Sequence, residues 1–256
     1  MAWKRLPKRL AHGEEATVVE HLSELRNRIL IALGSLIPGF LLAFAFHEDL
    51  INWLKAPLPD DVHFVTLGVA EPFTTSVKIS FYAAIAIALP VVLYQLWAFL
   101  APAVEEHVQR VVSTFVVIAT GLFAGGVAFG YFVVMPPAIH FLVNFDTGIY
   151  EQQVRASYYL SFVSLLLLAM GIVFELPIFI LALVRLRVLS SAKLRRNRRI
   201  GYVLMLVIAI LLPSVYPVSL AFEAVPLIAL FEASIWLAVV MERRWERGWD
   251  ESLEPS

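Results

Sequence analysis

The 256-residue chain is 60% hydrophobic with a mean hydropathy of +0.78, too apolar for a soluble domain of this size. Its net charge of −1 gives no reason to expect a nucleic-acid partner, and the absence of cysteine excludes disulfides and thiolate metal sites. The histidines are scattered, and no zinc-hydrolase, nucleophile-elbow or phosphate-loop motif occurs, so neither an enzyme nor a metal or cofactor is expected.

Residues 1–28 are charged and polar, which is not the pattern of a cleavable leader. They read as a cytoplasmic N-terminal segment. Six apolar stretches follow, at about 29–46, 75–100, 111–135, 158–184, 200–212 and 218–241. A hydrocarbon layer of about 30 Å needs about 20 apolar residues in a helix, so all but the fifth are long enough to span. The expectation is an all-α integral membrane protein with six transmembrane helices, a single domain over 1–256, a membrane region over 29–241 and a tail over 242–256. Seventeen Lys and Arg lie in the N-terminal segment, the connections after spans two and four, and the tail, against three on the other side. The positive-inside rule then places both termini in the cytoplasm. Two outer connections, about 47–74 and 136–157, are long enough to carry structure of their own.

Several residues sit uneasily in this pattern. In EHLSELRNR, residues 20–28, Glu20, Glu24 and Arg28 recur every four positions and share a helical face. An ordinary Glu24–Arg28 pair fits this motif. So does an outward carboxylate that accepts the forked guanidinium of another molecule, which lysine cannot reproduce. Glu175 lies within the fourth span, two residues before Pro177, whose ring frees a carbonyl one turn earlier; a protonated Glu175 can donate to such a group. It reads either as a packing acid or as a polar patch for a partner or proton. Glu223 and Glu232 lie in the sixth span, with Glu223 near its outer end, where exposure at the interface is expected. Gly121, Gly125, Gly126 and Gly130 in the third span are spaced for close helix packing within the chain.

HLSELRNR resembles the His-Leu-x-Glu-Leu-Arg signature of the TatC family, the multi-spanning subunit of the twin-arginine protein translocase. The likeness continues in order through ALPVVLYQLWAFLAP (88–102), FGYFVVMPPAIHFL, YLSFVSLLLLAMGIVFELP and AVPLIALFE, ending at Glu232. It implies a curved six-helix receptor with short helices five and six in the bacterial cytoplasmic membrane. Such a receptor binds signal peptides bearing two consecutive arginines at its cytoplasmic face. With TatB and TatA, and in oligomeric complexes, it exports folded proteins at the expense of the proton-motive force, without a cofactor. Carried over, Glu24 and Arg26 in the first segment and Phe99 at the end of span two match the signal-peptide site, and Pro90 and Gln95 match the pattern of span two. The family's second acid falls here on Val108, so Glu105 or Glu106 is expected to supply that carboxylate from a shifted position. LLPSVYPVSL (211–220) keeps the family's prolines between spans five and six but lacks its Asp and Gln, and Glu223 is the expected substitute anchor for the single-span partners. Two rival readings remain: a proton-coupled small-solute transporter using Glu175, Glu223 and Glu232, and a degenerate scaffold of the same family.

Overall fold

The computed structural model describes residues 18–59, 62–100, 109–145, 153–185, 188–212 and 217–253; at 18–20, 100, 109–113, 217–219 and 245–253 it describes the backbone only. Ten α-helices occur among the described residues. α1 (Val18–Ala45) begins well before the first apolar stretch, so the charged HLSELRNR segment continues that helix instead of preceding it. α2 (His47–Lys55) is a short helix in the first long connection. α3 (Glu71–Leu100) runs unbroken through Pro90. α4 (Gln109–Phe129), a π-helical turn (Gly130–Val134) and α5 (Met135–Asn144) make one longer rod.

α5 corrects the expectation that the third span ends at Met135. Pro136 and Pro137 occupy the first turn of α5, where a missing N–H costs nothing, and the π turn absorbs the change of phase. α6 (Ala156–Val173) and α7 (Leu176–Arg185) are two halves of the fourth span. Pro177 cannot donate to the carbonyl four residues back, and the chain breaks at Phe174 and Glu175. α8 (Ser191–Arg196) and α9 (Arg198–Leu211) follow.

α10 (Pro217–Leu253) is 37 residues long and passes through Pro226. The expected short sixth helix is thus corrected: ERRWERGWDESL is rich in good helix formers and extends the apolar helix instead of ending it. Among the described residues, five stretches are long and apolar enough to cross a membrane: His21–Ala45, Glu71–Phe99, Thr114–Asn144, Ala156–Arg185 and Leu220–Arg244. α9, with 14 residues, is about 21 Å long at 1.5 Å per residue. It falls short of a span, as its sequence led one to expect.

α1 packs on α3, which also touches α4 and α6; α10 packs on α7 and α9. The two long connections are joined by a parallel pair of two-residue strands, β1 (Phe64–Val65) and β2 (Val154–Arg155), in the register Phe64 with Val154. Glu71, at the start of α3, accepts hydrogen bonds from Arg155 Nε (2.8 Å), Ser157 Oγ (2.6 Å) and Leu67 N (2.8 Å). The bond to Glu71 raises the Arg155 pKa above its ordinary value. α2 is held by tyrosines: Tyr131 stacks on Trp53 at 4.3 Å and donates to its carbonyl, and Tyr159 donates to the carbonyl of Leu54.

The glycine pattern of α4 resolves into two faces. Gly126 and Gly130 are buried, and a Cβ on Gly126 would lie 2.7 Å from the Met170 carbonyl oxygen of α6. Gly121 and Gly125 are exposed, with nothing within 4 Å of such a Cβ. A backbone oxygen cannot yield as a side chain can, so Gly126→Ala should destabilise the folded protein by about 1–3 kcal/mol. Gly125→Ala should leave thermal unfolding in detergent unchanged or raise its midpoint, because alanine favours the helix by about 1 kcal/mol.

Candidate functional site where α1 meets the end of α3

Three side chains of α1 and two of α3 gather where the N-terminal end of one helix lies against the C-terminal end of the other. His21, Glu24 and Arg28 are three and four residues apart, hence on one face. Glu24 Oε1 accepts both Arg28 Nε (2.9 Å) and Arg28 Nη2 (2.5 Å). Arg28 Nη1 reaches across to Gln95 Oε1 of α3 at 3.3 Å. His21 stacks on Phe99 with ring centroids 4.4 Å apart and planes inclined by 19°. The second oxygen, Glu24 Oε2, lies 4.0 Å from His21 Nδ1, beyond hydrogen-bond reach. Glu24 remains 35% exposed, so this oxygen belongs to a carboxylate open to an arriving donor.

The structure therefore brings together Glu24, Gln95 and Phe99 of the expected residues. It adds His21 and a working role for Arg28. Gln95, expected only to match the pattern of its span, orients Arg28. The sequence signal for His21 was the motif itself, whose first residue had been given no role. Arg26 is exposed and lies about 200° around the helix from Glu24, so it is not part of this cluster. Glu105, Glu106 and Val108 lie outside the described residues, as does much of LLPSVYPVSL (213–216). Among the described residues no cluster of His, Asp or Glu suited to a metal ion occurs.

The apolar contact between the helices sets this geometry. Gly39 of α1 faces Ala84 of α3 so closely that a Cβ would stand 3.1 Å from the Ala84 carbonyl oxygen.

The three intramembrane acids differ sharply. Glu175, at the break between α6 and α7, is 2% exposed, and neither carboxylate oxygen has a hydrogen-bond partner among the described residues. The expected donation to the carbonyl freed by Pro177 is not made. Glu223 is fully buried, which corrects the expectation of interface exposure. It lies on the stripe of α10 that continues through Leu227, Phe231, Ile235 and Ala238, all buried, and this stripe faces the protein. Glu232 is partly exposed, accepts a hydrogen bond from Tyr202 and pairs with Arg198 at 3.3 Å. The α9–α10 packing is close here too, with Gly201 against the ring of Phe231.

Because the natural chain has no cysteine, paired cysteines report this seam cleanly. In a His21→Cys, Phe99→Cys protein, a short bismaleimide should join α1 to α3. Adding Gly39→Leu should slow that reaction severalfold, whereas Gly34→Leu, at a position with nothing within 4 Å, should leave it unchanged.

Comparison with known proteins agrees with this architecture. Residues 20–226 match the family described as Sec-independent protein translocase protein (TatC). The chain is 34% identical over 235 residues to Sec-independent protein translocase protein TatC of Magnetococcus marinus, covering 90% of this chain and 87% of that one. It is 36% identical over 227 residues to the TatC of Escherichia coli K12, covering 86% and 87%. A crystal structure of the twin-arginine translocase receptor TatC superposes with a TM-score of 0.79 at 33% identity, covering 86% of this chain and 99% of that one. With the family profile spanning most of its length, the chain belongs to the TatC family of Sec-independent protein translocases, as a multi-pass membrane protein.

Proposed function

We propose that this protein is the receptor subunit of a twin-arginine translocase, and that the Glu24 cluster takes the paired arginines of a signal peptide. The observation that carries the reading is the arrangement of Glu24: one oxygen holds Arg28, and the other is open at the rim of the bundle. A partly exposed i, i+4 pair of this kind stabilises by on the order of 0.5 kcal/mol, so Arg28 gives way at little cost to an arriving guanidinium. Gln95 keeps Arg28 in place as it yields. Phe99, stacked on His21, offers an aromatic face over which a guanidinium packs. Arg26, exposed nearby, is free to meet the peptide backbone or an acidic neighbour. Glu105 or Glu106 supplies the second carboxylate.

In this reading the whole chain, 1–256, is one membrane domain in the bacterial cytoplasmic membrane. Its N-terminal segment and tail face the cytoplasm, and α9 is a sixth, short membrane helix. The receptor acts in an oligomeric complex with TatA- and TatB-like single-span subunits and exports folded cargo using the proton-motive force, with no catalytic chemistry of its own. Of the intramembrane acids, Glu232 is partly exposed and tied to α9, while Glu175 and Glu223 are covered. The transporter reading needs these three as a relay, and Glu232 is already engaged by Arg198 and Tyr202.

The test is capture of a signal peptide by the purified full-length chain with its native companions. A peptide carrying Arg-Arg should be retained at least tenfold better than its Lys-Lys version. Glu24→Ala should abolish photocrosslinking to the Arg-Arg peptide while the protein still inserts and unfolds like the wild type. Equal retention of the two peptides would overturn the receptor reading.

A further inference from the structure

The α8–α9 corner carries an exposed cationic surface that the signal-peptide site does not use. Lys193, Arg195, Arg196 and Arg199 are all exposed. Their counterparts on the opposite face, Ser191, Leu194 and Arg198, are turned toward the protein. Ser191 is buried, and its N–H donates to Glu242 of α10 at 2.9 Å. Leu194 packs against the core shared by α6, α9 and α10, and Arg198 pairs with Glu232. The two carboxylates at this corner are therefore committed elsewhere, and none of the four exposed cations forms an ion pair among the described residues.

What lies next to these cations decides what they meet. Within one turn of Arg199 the exposed surface becomes wholly apolar: Ile200, Val203 and Leu204 are each more than half exposed. A cationic ring directly bordering a bare aliphatic face is the profile of a headgroup-to-acyl boundary. The shortness of α9 sharpens the point. A helix of about 21 Å cannot cross about 30 Å of hydrocarbon without thinning the bilayer or drawing its flanking residues inward. Either response brings the four cations to the level of lipid phosphates.

We propose that Lys193, Arg195, Arg196 and Arg199 form a binding surface for anionic phospholipid headgroups at the end of α9. The occupant is a lipid because the cations continue into an apolar face that only acyl chains or a membrane-embedded helix can cover, and their excess positive charge selects an anion. The proposal requires only that this corner lie at a bilayer surface, so it stands or falls separately from signal-peptide recognition.

The experiment uses the full-length chain in nanodiscs of phosphatidylcholine containing phosphatidylglycerol, with spin-labelled versions of each lipid as probes. Electron paramagnetic resonance should show phosphatidylglycerol selected over phosphatidylcholine by about threefold or more at low salt, with the preference falling in 1 M salt. The K193Q/R195Q/R196Q/R199Q variant should lose most of the selectivity. The charge-conserving R195K/R196K/R199K variant should keep it, which separates loss of charge from misfolding. No preference in the wild type, or a preference unchanged in the glutamine variant, would overturn the proposal; the latter result would leave these cations to a protein partner.

Discussion

The candidate site depends on how far α1 is slid along α3. Two contacts mark that position: Gly39 against Ala84, and Arg28 against Gln95. They are eleven residues apart on both helices, 28 to 39 and 84 to 95, running in opposite directions. Eleven residues are close to three full turns, so both contacts lie on the same stripe of each helix. A residue of any bulk at 39 would lift α1 from its neighbour and separate Arg28 from Gln95 about 16 Å away. α1 leans almost wholly on α3, and 11% of its apolar window is buried inside the chain. A small residue deep in the membrane therefore governs polar geometry at the rim.

That geometry suits exchange more than storage. A buried carboxylate with all its acceptor sites filled makes a strong but inert ion pair. Glu24 instead shares one oxygen with a neighbour on its own helix and leaves the other without a hydrogen bond among the described residues, on a side chain that is partly exposed. Lysine and arginine compete differently for such a group, because only arginine presents a planar fork able to satisfy both oxygens at once. Elsewhere the chain treats its acids as structural ties. Glu71 binds the two outer connections to α3, Glu242 holds α8, and Glu232 joins α9 to α10. Glu24 differs from these in pairing only within its own helix among its charged partners.

Much of this was legible in the residues. Apolar length identified most of the spans, including the deficit of α9, because hydrocarbon thickness acts directly on helix length. The i, i+4 spacing of Glu24 and Arg28 named that pair before any coordinates. Tertiary partners were less legible. Nothing local to Gln95 says that it meets Arg28, and Gly126 differs from Gly125 only through what α6 places opposite it. Glu223 was misjudged because its depth along α10 was read without its angle around the helix, and the buried stripe through Leu227 and Phe231 settles that angle. The continuation of α4 into α5 was hidden by two prolines that ordinarily end a helix but are tolerated in a first turn.

The most direct measurement is a double-mutant cycle between Glu24 and the arginine pair of a bound signal peptide. Affinities would be taken for wild-type and Glu24→Gln protein, each with Arg-Arg and Lys-Lys peptides. If the carboxylate grips the forked cation, replacing arginine by lysine weakens binding strongly in the wild type and scarcely in the variant, with a coupling energy above about 1 kcal/mol. Strictly additive losses would mean that Glu24 and the arginines never meet, and the account of this rim would be wrong.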